Sequence, residues 1–167
     1  MKKIIEKNCE LFKLDIDIVC GIIIQESQGD PWACRFEEKW HAARLLMRPR
    51  SRLAGYVPPV GKNPSLYDEK IWRAHSFGAM QVLGETARVL GFRGRYLPEL
   101  LDPELSIQYG CKYLAKCLLR TDRDFDHNTK NHYRRALLGY NGGGDKLYPE
   151  KVFGRIERGE IKIPLLQ

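Results

Sequence analysis

Glu26 is a residue whose type and position could do chemistry. The apolar residues Val19, Ile22 and Ile23 recur at the spacing of one helical face, and the next position on that face is a carboxyl group. Burial without a partner raises the pKa of a carboxyl, and the negative end of a helix acts in the same direction. An acid that stays protonated near neutral pH can protonate the leaving oxygen of a glycosidic bond. Such a glutamate can also turn to the rim, where it is solvated or pairs with an arginine.

The stretches around Glu26 have the apolar spacing of helices. Asp15 or Asp17 can cap the helix that carries Glu26, and the sequence Gly29-Asp30-Pro31 would end it. Residues 31–65 begin with helical composition but continue with four prolines and several basic residues. We therefore expect a mainly α fold with one long irregular insertion at about 31–65 and at most a minor β-hairpin. Helices are predicted at 3–13, about 15–27, 65–75, 79–90, 103–120, 131–141 and 149–158.

The composition is that of one globular domain. The chain has 167 residues, of which 43% are hydrophobic and 29% charged, so it can form a proper core and is not of low complexity. We expect a single domain over residues 1–167. The formal net charge of +7 favours an anionic partner such as a cell-wall polymer, a nucleic acid or a membrane surface, although a basic surface can also simply be solvated.

The N-terminal segment is predicted to be an amphipathic helix and not a secretion signal. Polar residues from Glu6 to Glu10 interrupt the apolar region that a signal needs, and no apolar run approaches the roughly 20 residues that span a bilayer. We therefore expect synthesis in the cytoplasm and no transmembrane segment.

Neither a disulfide framework nor a metal site nor a cofactor is predicted. The five cysteines are an odd, scattered set in a chain without a signal. No C-x-x-C motif occurs, and His127 and His132 are five residues apart on a polar segment, which is unlike the ligand spacing of structural zinc.

Four motifs appear in a fixed order along the chain. They are IIIQES ending at Ser27, SFGAMQVLGETA at 76–87, LLDPELSIQYGCKYL at 100–114 and LLGYNGG at 137–143. Together they resemble the lytic transglycosylases of the soluble SLT type, which share the goose-type lysozyme fold. That family shows a Glu-Ser pair, then Gly-Leu-Met-Gln, Gly-x-x-Tyr-Leu and Ala-Tyr-Asn-Ala-Gly signatures. The resemblance covers residues from about 3 to 155.

The chain departs from the family pattern at three motif positions. Ala79 replaces the leucine of the second signature, and Gly139 and Gly142 replace the two alanines of the fourth. These changes keep small or apolar side chains. The stretch from Glu26 to Ser76 is longer than is usual for the family, so we expect this chain to differ in substrate specificity.

The resemblance implies roles for six residues in the cleavage of peptidoglycan glycan strands between N-acetylmuramic acid and N-acetylglucosamine. Glu26 would be the catalytic acid and base. A tyrosine hydroxyl at the end of another apolar helix face could hydrogen-bond it. The residues expected to line the substrate groove are Ser76, Met80, Gln81, Tyr140 and Asn141.

The attacking group stays open between two alternatives. Attack by the muramic 6-hydroxyl gives a 1,6-anhydro sugar, whereas attack by water gives a reducing sugar and needs a second carboxylate about 6.5–9.5 Å from the first in an inverting enzyme. Candidates for that carboxylate are Asp30, Glu37 and Glu38, of which Glu37 is preferred because Phe36 and Trp40 are close in sequence. We expect hydrolysis by a muramidase, although Glu37 can also be a plain solvated acid.

Two other classes of function stay open. One is a helical envelope-binding module without catalysis. The other is a nucleic-acid binder, suggested by arginines in 44–52 and 88–95 but disfavoured because no aromatic platform is interleaved with them. The missing signal and the basic charge favour a monomeric phage or prophage endolysin that is released to the cell wall and contacts the anionic envelope. A virion-associated or secretion-system transglycosylase is the alternative.

Overall fold

The computed structural model describes residues 1–38, 45, 47–49, 52–53, 55, 64–121 and 130–162. The chain divides into two compact units. The first unit comprises Met1–Gly29 and Gly110–Gln167, and the second comprises Asp30–Tyr109. The described residues are mainly helical with one small sheet, which confirms the predicted fold class. About half of the insertion predicted at 31–65 lies outside the described residues, and the single domain over 1–167 stays a prediction.

Helices make up the first unit. Among its described residues, none of the helices is long and apolar enough to cross a membrane, and the same holds for the second unit. The elements of the first unit are α1 (Lys2–Phe12), α2 (Ile16–Ser27), the later part of α5 (Pro103–Thr121), α6 (Lys130–Tyr140), α7 (Tyr148–Glu157) and a 3-10 turn (Glu160–Lys162).

Helix α2 is apolar on all sides, not on one face as the sequence pattern indicates. It is buried because it packs against both α1 and α7. The side chain of Asp15 caps its start by accepting a hydrogen bond from the backbone N–H of Asp17 at 2.8 Å. The helix ends at Ser27, and the next residue, Gln28, adopts a left-handed conformation with φ of 56°, one residue before the predicted stop at Gly29. Its buried residues are Ile18, Val19, Cys20, Gly21, Ile22, Ile23 and Ile24.

The contact between α2 and α7 depends on Gly21. A Cβ atom at this position would lie 3.0 Å from Cγ1 of Val152 and 3.1 Å from Cγ1 of Ile156. A larger residue would therefore push the two helices apart. This close approach brings the end of α2, with Glu26, next to the start of α7.

The second unit combines a small antiparallel sheet with short helices. Strand β2 lies in the centre of the sheet, and Ser76 pairs with Arg35 on one side and with Leu83 on the other. The elements are β1 (Cys34–Phe36), α3 (Leu66–Arg73), β2 (His75–Phe77), β3 (Val82–Leu83), α4 (Gly84–Val89), a 3-10 turn (Leu97–Leu101) and the first part of α5.

The helix predicted over 79–90 is wrong in its first half. Gly78 and Gln81 both have positive φ angles, 71° and 48°, so the chain turns there, forms β3 and enters α4 only at Gly84. A Cβ atom on Gly78 would lie 2.3 Å from Oγ of Ser106, so only glycine fits. The helical spacing predicts that Met80, Leu83, Ala87 and Leu90 point inward; Met80, Ala87 and Leu90 are buried, whereas Leu83 is only half-buried.

The core of the second unit contains a network of charges. Arg88 donates from Nε and Nη2 to the two oxygens of Glu69, at 2.9 and 3.0 Å. Arg73 donates to Glu69 at 2.8 Å and to Glu85 at 2.6 Å. Arg73, Arg88 and Glu69 are almost completely buried. Arg88 belongs to the arginine-rich stretch considered for nucleic-acid binding, and its guanidinium group is in the core, where it cannot meet a phosphate.

We expect Glu69→Gln to lower the free energy of unfolding by about 3–5 kcal/mol, because it leaves two buried guanidinium groups without their shared negative charge. Urea unfolding monitored by circular dichroism measures the change. The matched control is Glu157→Gln, whose exposed ion pair with Lys130 should contribute close to nothing measurable. Equal effects of the two substitutions would contradict the structural role of the network.

Candidate active site

The carboxyl group of Glu26 is held by a tyrosine of α7. The hydroxyl of Tyr148 donates a hydrogen bond to Oε1 of Glu26 at 2.6 Å. Tyr148 is buried, whereas Glu26 at the end of α2 is half-buried. Pro149 favours the helix start that fixes Tyr148, because a proline in the first turn loses no helical hydrogen bond. The structure therefore gives Glu26 one fixed oxygen and partial access to solvent.

Tyr140 lies near the same carboxyl group. It is the last residue of α6, it is 9% exposed, and its ring packs against that of Tyr113 with centroids 5.2 Å apart. Burial raises the pKa of Tyr140 well above its usual value, and the nearby carboxylate of Glu26 raises it further. Burial and then Glu26 raise the pKa of Tyr148 in the same way. Both phenols therefore keep their protons and remain hydrogen-bond donors.

Sequence reasoning missed Tyr148. It placed the last helix at 149–158 and assigned the possible tyrosine partner of Glu26 to Tyr140 alone. The available signal was an aromatic residue directly before Pro149, in the first turn of a helix with an apolar face. A tyrosine at that position has a fixed backbone and a polar hydroxyl group, but the sequence does not indicate which other helix end the hydroxyl contacts.

Asn141 closes the loop that follows α6. Its Nδ2 donates to the backbone oxygen of Asp145 at 3.4 Å. Gly142 and Gly143 have positive φ angles of 68° and 75°, so the chain reversal itself explains these two glycines. Gly144 has no such angle, and a Cβ atom there would meet only the backbone oxygen of Asn141, at 4.0 Å. The loop thus presents open backbone beside Tyr140.

Ser76 and Glu37 are brought together in the second unit. The hydroxyl of Ser76 donates to Oε1 of Glu37 at 3.0 Å, and Arg35 reaches the same oxygen with Nε at 2.8 Å and Nη2 at 2.7 Å. The backbone N–H of Glu37 also donates to the oxygen of Ala74 at 2.9 Å. Glu37 is 29% exposed, so the predicted second carboxylate is anchored to the sheet through one oxygen and still meets solvent.

Gln81 and Met80 mainly support the turn before β3. The side-chain Nε2 of Gln81 donates to the backbone oxygens of Ala33 and Gly78, at 2.9 and 3.0 Å. The side chain of Met80 has no exposed surface, so it packs in the core and does not itself line a groove, which corrects the expectation for this residue. The methionine of the motif serves the fold because the turn directs it inward.

The comparison with protein families covers both units. Residues 3–151 match the family model described as the transglycosylase SLT domain. The chain belongs to this family. SLT domains cleave peptidoglycan as lytic transglycosylases, so this protein is an enzyme that acts on peptidoglycan glycan strands. The matched residues of the SLT domain include Glu26, Glu37, Tyr140 and Tyr148. No curated protein and no solved structure matches the chain.

The buried tyrosines should make the SLT domain sensitive to alkali. Burial raises the pKa of Tyr113 to about 12, and those of Tyr140 and Tyr148 also rise. In the unfolded chain tyrosine titrates near pH 10. The folded state then binds more protons above that pH, so the contribution of these tyrosines to stability is constant below about pH 9 and falls as the pH rises further.

We expect the loss of unfolding free energy between about pH 9 and 11 to be smaller for Tyr148→Phe than for the wild type, because the variant has one raised pKa fewer. Urea unfolding at a series of pH values measures it. Tyr67→Phe is the control, since Tyr67 is 66% exposed and should leave the pH dependence unchanged. Identical pH dependence of all three proteins would contradict this interpretation.

Proposed function

We propose that Glu26 is the general acid that cleaves the bond between N-acetylmuramic acid and N-acetylglucosamine. The observation that carries the proposal is the hydrogen bond from Tyr148 to Oε1 of Glu26, at the end of a buried helix in an SLT domain. An acid must be held in a fixed orientation to meet the glycosidic oxygen. Two buried phenols beside one half-buried carboxyl group supply that orientation.

The proton moves in two stages. The transferable proton is carried by the carboxyl group of Glu26, which the hydrogen bond from Tyr148 to Oε1 holds in place. It passes to the glycosidic oxygen as the bond to the muramic anomeric carbon breaks, and the N-acetylglucosamine portion leaves as an alcohol. Positive charge then develops on the muramic ring, and an oxygen nucleophile attacks the anomeric carbon while its proton goes to a carboxylate.

For the second stage we propose attack by water, with Glu37 as the carboxylate that accepts the water proton. Support comes from its contacts: the pairing of Glu37 with Arg35 favours the charged carboxylate, and Ser76 fixes its orientation. All these contacts use Oε1, so Oε2 of Glu37 is the oxygen for the water. The alternative is attack by the muramic 6-hydroxyl, with Glu26 itself as the base.

For the place of action we propose an endolysin that works as a monomer on the cell wall after release from the cytoplasm. The formal net charge of +7 supports contact with the anionic envelope. Cells that express the protein should stay intact until their inner membrane is permeabilised, and lysis without permeabilisation would contradict this proposal.

Glu26→Gln should lower the rate of peptidoglycan cleavage by about 10²–10⁴-fold, because the amide cannot donate the proton. Dye release from purified cell walls measures the rate. The control is Glu10→Gln, an exposed residue of α1 that should behave as wild type. A folded Glu26→Gln variant with wild-type activity would remove Glu26 from the reaction, and full binding without cleavage by the wild type would favour a binding module.

Tyr148→Phe should lower kcat more than it changes KM, since it removes only the orientation of the acid.

Mass spectrometry of digested cell walls separates the two nucleophiles. We expect products with reducing muramic ends, and we expect Glu37→Gln to lower their formation by about 10²–10⁴-fold. Glu38→Gln is the matched control, because this neighbouring acid is exposed and should have little effect. Hydrolysis would be contradicted if all products were 1,6-anhydro sugars and Glu37→Gln formed them as fast as the wild type. That result would leave the role of Glu26 intact.

A further inference from the structure

One face of α7 lines a groove in the first unit. The groove encloses about 510 Å³, and the residues of α7 and the preceding turn that line it recur at the spacing of a single helical face. The lining residues are Gln25, Leu147, Glu150, Lys151, Arg155 and Arg158. Three of these six side chains are cations and one is an anion, and because Lys151 is paired with Asp145 at 2.5 Å, the charge that favours negatively charged ligands comes from Arg155 and Arg158.

The cations of the groove are only partly neutralised. Arg155 and Arg158 share one carboxylate, that of Glu160, with contacts of 2.5 Å each. These hydrogen bonds lower the pKa of Glu160. A single carboxylate balances one of the two guanidinium charges. The anion of the groove, Glu150, is itself paired with Arg134, so it does not cancel the remaining charge.

The Nη atoms of Arg158 are available as hydrogen-bond donors to a ligand. Its Nε contacts Glu160, and within the described part of the chain no acceptor is recorded for either of its Nη atoms. Gly154 makes room for this guanidinium group, since a Cβ atom there would lie 2.8 Å from Nη1 of Arg158. Arg158 therefore lies back along the helix, over the position that a side chain of residue 154 would occupy.

Two residues that line the groove are sequence neighbours of the proposed acid and of its tyrosine partner. Gln25 directly precedes Glu26, its Oε1 accepts a hydrogen bond from Nε of Arg155 at 3.3 Å, and Leu147 directly precedes Tyr148. From Tyr148 to Arg158 the helix rises about 15 Å. An extended peptide of four residues spans about 13 Å. Arg155 lies only about 10 Å along the helix from Tyr148, and the guanidinium group of Arg158 lies back over Gly154, so a short peptide that starts near Glu26 would reach both arginines.

We propose that this groove binds carboxylates of the short acidic peptide that branches from muramic acid in peptidoglycan. The proposal rests on the proposed function, because Glu26 must act at muramic acid for the peptide to start there. Guanidinium groups bind carboxylates through paired hydrogen bonds, and Arg155 and Arg158 are spaced along the path of the peptide. Phosphate groups share this anionic chemistry, and the experiment separates the two.

The test compares glycan strands that carry peptides with strands from which an amidase has removed them. We expect Arg155→Gln/Arg158→Gln to lower kcat/KM on peptide-bearing strands roughly three- to tenfold and to leave the rate on stripped strands unchanged. The matched control, Lys2→Gln/Lys3→Gln, removes the same charge from exposed positions of α1 and should behave as wild type on both substrates.

Gly154→Ala keeps every charge and should still weaken the peptide preference, because the new methyl group displaces Arg158. Alanine is favoured in helices, so this variant should fold as stably as wild type. Pelleting with peptide-bearing or stripped cell walls provides a readout that does not depend on cleavage. Wild-type protein should bind peptide-bearing walls more tightly, and the double variant should lose that difference.

The outcomes are distinct. Equal loss of rate on both substrates in the double variant, or no loss on either, would overturn the peptide site. Competition by inorganic phosphate beyond that of chloride at equal ionic strength, on both substrates alike, would identify a phosphate site and also overturn it. If the wild type cleaves neither substrate, the proposed function fails, and pelleting still decides whether the groove recognises peptide.

Discussion

A carboxyl group at the end of a helix that is buried on every side needs a polar partner, and the hydroxyl of Tyr148 supplies one to Glu26. Two features of the first unit make this hydrogen bond possible. Gly21 allows α7 to approach α2 closely, and Pro149 fixes the start of α7, so that the phenol reaches the acid. A carboxyl group without a partner would destabilise an ordinary core. The hydrogen bond from Tyr148 satisfies the carboxyl group of Glu26 and orients it, which suits it to proton transfer.

The second unit places charge in its interior in a different way. Glu69 lies between Arg73 and Arg88, and because each charge is paired in several directions, loss of one member leaves the others unsatisfied. The helices joined by these pairs, α3 and α4, flank strands β2 and β3 of the small sheet in the chain. That sheet carries Ser76 and, next to β1, Glu37, so the buried ions stabilise the scaffold of the proposed second carboxylate.

Much of the fold could be predicted from the sequence, because helices depend on local spacing and capping. Asp15 as a cap and the apolar run of α2 are examples. The turn at Gly78–Gln81 could not, since residues 79–90 keep helical spacing while Gly78 must fit against Ser106, which is distant in sequence. Similarly, the burial of Arg88 could not be predicted, because it depends on the carboxylate of Glu69 in another helix and on the backbone oxygens of Phe92 and Gly94.

The site was partly predictable for the same reason. Glu26 and Tyr140 stand at the ends of apolar stripes, which the sequence displays directly. Tyr148 and the pairing of Ser76 with Glu37 depend on which helix ends meet and on the register of β1 with β2. Both depend on tertiary contacts. The order of the motifs identifies the family but does not specify these contacts.

The most direct test of the central claim is a crystal structure of Glu26→Gln with a bound peptidoglycan glycan fragment that the variant cannot cleave. We expect the oxygen between N-acetylmuramic acid and N-acetylglucosamine to lie within hydrogen-bond distance, about 3 Å, of the side chain at position 26, with the hydroxyl of Tyr148 on the opposite side of that side chain. A glycan bound elsewhere, with no glycosidic oxygen within reach of position 26, would contradict it.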